Sequence, residues 1–214
     1  MARKPVPQNA KIFASLGIAV VMLGLIATVY FAYLRPTGDD QFAQCRSTNI
    51  AGGESVIGGP FSLVNEDGET VTDADVITGP TLVYFGYSYC PDVCPFDAVR
   101  NAEVATILRD QGRPVGDVFI SVDHGRDTPE VMKEFTDYFD EETLGLTGSE
   151  AQVVAAAKAY RVYYAKNGEG DDYLMDHSTL TYLMAPQIGL VDIFRRDLSA
   201  EDMAEKVGCF IDQI

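Results

Sequence analysis

Residues 81–95 read Thr81-Leu82-Val83-Tyr84-Phe85-Gly86-Tyr87-Ser88-Tyr89-Cys90-Pro91-Asp92-Val93-Cys94-Pro95. The opening run, Thr81 to Phe85, is apolar, β-branched and aromatic, the composition of a buried strand. From Phe96 to Arg109 the pattern turns helical, with Val99, Val104, Ile107 and Leu108 apolar. Two cysteines therefore sit where a buried strand hands over to a helix. Amides at a helix N-terminus, with the macrodipole behind them, stabilise a thiolate. The thiolate is both the nucleophile and the metal-binding form of cysteine. Three residues separate Cys90 from Cys94, against two in the usual redox pair. Spacing of i,i+4 along a helical turn puts both sulfurs on one face. That suits closing two sulfurs around one ion, and it still permits a strained disulfide.

Working outward, Gly59 to Val64 reads as a short strand followed by an Asn65-Glu66-Asp67-Gly68 turn. Val118 to Val122 is a second buried strand. Asp127-Thr128-Pro129-Glu130 is a helix start, with Asp127 or Thr128 as cap and Pro129 in the first turn. Phe135 and Phe139 continue that helix. Another opens at Gly148-Ser149-Glu150 and runs from Ala151 to Tyr160. Val162 to Tyr164, Leu180 to Met184 and Leu190 to Phe194 read as strands. Ser199 caps a last helix reaching Ile211. Strands alternating with helices indicate an α/β domain around one central sheet. No internal repeat and no second domain boundary is visible within it.

The N-terminus is of another kind. Ile12 to Leu34 is 23 residues long and uncharged, enough to cross a hydrocarbon core of about 30 Å as a helix. Arg3, Lys4 and Lys11 precede it, which puts the N-terminus in the cytoplasm and the rest outside. A cleaved signal would have a shorter apolar core and a small-residue end; this run ends in Tyr33-Leu34-Arg35-Pro36. The expected organisation is a tail at 1–11, an anchor at 12–34, a polar Gly-rich linker at 35–58 and a folded domain at 59–214. Mean hydropathy is +0.01 although net charge is −16. The two agree because residues 35–214 hold 13 basic against 32 acidic side chains, a net of −19. Such a surface repels nucleic acid. Two histidines, His124 and His177, exclude chemistry that needs many. Four cysteines are too few for a disulfide-dense scaffold.

The chain resembles the SCO family (SCO1/SenC/PrrC-like), membrane-anchored copper-binding proteins with a thioredoxin fold. The resemblance rests on the single anchor and on the Tyr84 to Pro95 loop. It rests also on Phe119-Ile120-Ser121-Val122-Asp123 followed by Arg126-Asp127-Thr128-Pro129-Glu130, and on Asp176-His177-Ser178 ahead of the strand from Thr179 to Met184. Together these span roughly residues 55–212. The resemblance implies an α/β thioredoxin-like domain behind one transmembrane helix, and one copper, as Cu(I) or Cu(II), held by Cys90, Cys94 and His177. It implies a metallochaperone, not an enzyme, serving the CuA centre of cytochrome c oxidase subunit II. Its partners would be that subunit and a periplasmic copper donor. A bacterial inner membrane, with the domain in the periplasm, is the expected site; a mitochondrial inner membrane is the other reading. Thiolates select Cu(I) and imidazole suits copper, which supports the ligand set independently.

Other readings stay open at this stage. Cys90 and Cys94 also fit a structural disulfide, or the redox pair of a thiol–disulfide oxidoreductase acting on the same oxidase subunit. Against the oxidoreductase stand the CxxxC spacing, the lack of a Trp before Cys90, and Ser178 where thioredoxins carry a cis-proline. A peroxidase lacks its pocket, and a copper or redox sensor is indistinguishable. His124 replaces the family's usual proline, as an auxiliary ligand or an exposed loop residue. Asp123 is a candidate for orienting a ligand or docking a partner. Asp123, Asp127 and Asp176 equally suit helix caps or solvated loops, and Met175 and Met184 suit the core. Cys45 and Cys209 flank the domain; in an oxidising compartment they form a pair tying the lead-in to the last helix.

Overall fold

The computed structural model describes residues 8–30, 41–46 and 57–214. The chain divides into two compact units, Met1–Ala43 and Gln44–Ile214. The first holds helix α1, Gln8–Val29. Its side chains are described from Ile18 onward, and those are exposed. Among the described residues no helix is long and apolar enough to cross a membrane. Residues 31–34 of the expected anchor, and most of the expected linker, lie outside the described residues.

The second unit runs β1 (Ser62–Asn65), β2 (Thr70–Thr72), α2 (Asp73–Val76), β3 (Thr81–Gly86), α3 (Val93–Asp110), β4 (Gly116–Ser121), α4 (Pro129–Asp137), β5 (Thr143–Thr147), α5 (Glu150–Ala159), β6 (Tyr164–Asn167), β7 (Leu174–His177), β8 (Leu180–Ala185), β9 (Gly189–Arg195) and α6 (Ala200–Ile211). Seven strands form one mixed sheet in the order β2-β1-β5-β4-β3-β8-β9. β3 pairs parallel with β4 and antiparallel with β8. All six residues of β3 are buried, as an unbroken apolar strand requires when both faces of a sheet are covered. Tyr84 reaches α3 through its hydroxyl, 2.9 Å from Asp97. Phe85 packs on Tyr160, just past α5, at 5.2 Å between ring centroids. This is the thioredoxin-like α/β arrangement.

Local chemistry sets the helix starts. Thr128 accepts a hydrogen bond from the Val131 amide ahead of Pro129, and Ser149 forms a capping box with Gln152. Ser199 accepts from the Asp202 amide at the head of α6. Cys45 and Cys209 are joined as a disulfide, with Cα atoms 5.7 Å apart.

Several expectations shift. β1 begins at Ser62, not Gly59, and α4 ends at Asp137, so Phe139 lies beyond it. The strand expected over 162–164 begins only at Tyr164. It pairs with β7 in a two-stranded ribbon apart from the main sheet. β2, α2, β5 and β7 were not expected. They are three to five residues long, too short to develop a period, and Gly145 interrupts the apolar pattern of β5.

Candidate metal centre

α3 begins three residues earlier than its apolar pattern indicates. Cys94 is therefore its second residue, while Cys90 lies in the turn before it, not on the helix as the i,i+4 argument supposed. The geometry still converges. The Cys94 amide donates to Cys90 Sγ at 3.3 Å. Asp92, at the N-cap position, makes no side-chain cap, so a sulfur accepts from the first turn instead. Pro91 and Pro95 shape this turn without needing amide partners.

The third member comes from 83 residues further on. His177 ends β7 and presents Nε2 at 3.2 Å from Cys94 Sγ. Its Nδ1 lies 2.9 Å from the Ser178 carbonyl oxygen. A carbonyl only accepts, so Nδ1 donates its proton there, and this bond turns Nε2 toward the sulfurs. Tyr84 and Tyr87 hold the ring edge-on at 6.2 and 5.7 Å. The two sulfurs and one imidazole nitrogen all lie within 4.8 Å of one another. Both cysteines are free and buried.

The two thiols titrate apart. The hydrogen bond from Cys94 is the largest influence on Cys90; with His177 and the amides of Asp92 and Cys94 it pulls the Cys90 thiol down to about 3. Burial opposes this. Cys94 moves the other way: burial pushes it up, and the ionised Cys90 beside it adds to the rise. One thiolate is thus ready, and the second proton must leave when a metal enters.

The cysteine loop is held from below by Asp127. Its carboxylate accepts from the Ser88 amide at 3.0 Å and from the hydroxyls of Ser88 and Ser121. Thr128 is the helix cap, so Asp127 is free for this. Burial raises its pKa, against those hydrogen bonds. In sequence Asp127 is indistinguishable from a cap; only the fold brings Ser88 to it.

The remaining candidates separate clearly. The Asp123 carboxylate is buried and hydrogen-bonded to Arg126 Nε and the Tyr173 hydroxyl, each at 2.6 Å, and to neither sulfur nor imidazole. His124 is exposed and outside the three-residue group. Asp176 is exposed and accepts from Asn167. Met175 and Met184 are in the core.

The SCO1/SenC family model matches residues 50–212. Protein SenC of Rhodobacter capsulatus is 50% identical over 202 residues, 94% of this chain and 90% of that protein. Arabidopsis thaliana ScoI, solved with copper bound, superposes with a TM-score of 0.71 at 39% identity, over 74% of this chain and 99% of that one. Yeast Sco1 with copper bound gives 0.67 at 36% identity, over 71% and 86%. The family match spans the strand, the cysteine loop and the distant histidine alike, so the chain belongs to the SCO1/SenC family.

Proposed function

We propose that this chain is a membrane-anchored copper metallochaperone that hands copper to the CuA centre of cytochrome c oxidase subunit II, with Cys90, Cys94 and His177 as ligands. The observation that carries the reading is the gathering of two thiols and one imidazole within 4.8 Å at a helix start. Soft thiolates favour Cu(I), and imidazole suits copper in either oxidation state. Copper-bound relatives from Arabidopsis and yeast support the cargo. Family members act in cytochrome c oxidase assembly, which supports the target. A periplasmic protein supplies the copper. The uncharged run over 12–34 behind Arg3, Lys4 and Lys11 serves as the anchor in a bacterial inner membrane, with the domain in the periplasm. Tethering confines the search for a membrane-bound partner and raises effective concentration. The Cys45–Cys209 disulfide suits that oxidising side.

A thiol–disulfide oxidoreductase is the second reading, favoured by the lowered pKa of Cys90. One titration separates them. Reduced full-length protein in detergent is titrated with Cu(I) against a competing chelator, wild type beside His177→Ala. The chaperone reading expects one copper per chain and an affinity lowered at least about tenfold in the variant. Equal affinity in the two proteins removes His177 from the site. Unchanged disulfide reductase activity in the variant favours the second reading.

A further inference from the structure

His177 sits on a strand that takes no part in the main sheet. β6 and β7 form a separate two-stranded ribbon, and such a ribbon is marginal by itself in water. Something must hold it against the cysteine loop. Met175 buries itself in the core beneath it. A polar tie comes from the loop after β4. There Asp123 accepts from the Tyr173 hydroxyl at 2.6 Å and from Arg126 Nε at 2.6 Å. Arg126 Nη1 donates to the Asp171 carbonyl at 3.2 Å.

The guanidinium lies 3.7 Å from the centroid of the Tyr173 ring, in the ribbon's connecting loop just before β7, and 4.6 Å from that of Tyr89, next to Cys90. One planar cation thus touches both ligand-bearing segments. Lys166 sits 3.9 Å from the centroid of the same Tyr173 ring. Gly125 makes room, since a Cβ there would lie 3.2 Å from the Tyr173 hydroxyl. The Arg126 side chain is 15% exposed and Asp123 3%. A desolvated ion pair between aromatic faces is stiffer than a surface pair, because its partners have no equivalent solvent to turn to.

We infer that Arg126 is a positioning residue for the metal centre: paired to Asp123 and in contact with Tyr89 and Tyr173, it locks the His177 ribbon onto the cysteine loop. It touches no ligand atom. Pairing of β3 with β8 brings the two ligand-bearing segments side by side, and Arg126 adds the side-chain tie that holds the ribbon itself against the cysteine loop. The inference rests on the copper reading of the site, and its test has one arm that does not.

Full-length protein in detergent is compared as wild type, Arg126→Ala, Arg126→Lys and Tyr173→Phe. In the copper arm, Cu(I) affinity is read against a chelator, and the Cu(II)–thiolate absorption band is recorded. Arg126→Ala loses about tenfold in affinity, the lower end of what outer-shell partners cost, and shifts the band. Arg126→Lys keeps the charge without the planar fork and does not restore either. Tyr173→Phe keeps the ring and loses less.

In the copper-free arm, amide hydrogen exchange over residues 164–177 quickens in Arg126→Ala while β3 and β4 are unchanged. A folded Arg126→Ala with wild-type affinity, band and exchange overturns the lock. If that variant does not fold, Tyr173→Leu carries both arms with the same expectations. Should wild type bind no copper, the metal reading falls, and the exchange arm still decides whether Arg126 holds the ribbon.

Discussion

Gly86 shows how little space the metal centre leaves. A Cβ at this position would stand 2.6 Å from Phe119, 2.9 Å from Tyr84 and 3.0 Å from Cys94 Sγ. The first two neighbours are rings packed in the core, and the third is a proposed ligand. Overpacking of this kind costs about 1–3 kcal/mol. Gly86→Ala is therefore expected to lower the urea midpoint and to weaken copper binding together, since the relief available is to push Cys94 off its position. Retained midpoint with weakened binding would place the strain on the sulfur alone; no change in either would contradict the packing argument. At the same scale, His177 needs the Ser178 carbonyl as much as it needs its own ring. The hydrogen bond from Nδ1 is what turns Nε2 toward the sulfurs.

At the scale of elements, the far end of the sheet from the cysteines carries a titrating group. Asp117, near the start of β4, accepts from Thr143 Oγ1 of β5 at 2.9 Å. Burial raises its pKa from 3.8 to about 7, and the Thr143 hydrogen bond opposes that only in part. A carboxyl whose folded pKa lies above its unfolded value favours folding most when both states are protonated. That advantage is lost as pH rises from about 4 through about 7. Asp117→Asn keeps an acceptor for Thr143 and removes the ionisation. Urea denaturation at pH 5 and pH 8 should show the variant gaining on wild type as pH rises, by up to about 1.4 kcal/mol per pH unit. A constant difference across that range would mean Asp117 titrates normally. The helix at the other end is set by a different device. Cys90 Sγ caps α3 where Asp92 does not, so filling the metal site and holding the helix start involve the same sulfur.

At the scale of the molecule, the Cys45–Cys209 disulfide spans a sequence separation of 164 residues. It closes nearly the whole second unit into a loop and ties the lead-in to α6. Cross-links over long loops stabilise chiefly by restricting the unfolded chain, and removing one costs about 2–5 kcal/mol. The double variant Cys45→Ser, Cys209→Ser is expected to lose stability in that range. Its copper stoichiometry should match wild type, because Cys90, Cys94 and His177 sit on other elements. Thermal unfolding beside copper titration checks both. A variant that also lost copper would show that the lead-in supports the metal centre.

The amino-acid sequence alone determined the elements whose patterns are long or sharply capped. Thr81 to Phe85 reads as a buried strand, Asp127-Thr128-Pro129-Glu130 as a helix start, and Cys90 with Cys94 as lying where a strand hands over to a helix. These follow from local physics, since burial pattern, capping oxygens and proline geometry act within a few residues. The resemblance to the SCO family joined His177 to the two cysteines. Tertiary structure alone decided that the imidazole turns Nε2 toward Cys94, that Asp127 holds Ser88, and that Arg126 joins Tyr89 to Tyr173. Each of these contacts joins residues 37 to 83 positions apart through side chains that read as ordinary loop polarity. The ribbon β6–β7 was illegible for a related reason. Its strands have four residues each, and they are held by contacts to the loops beside them rather than by their own pattern.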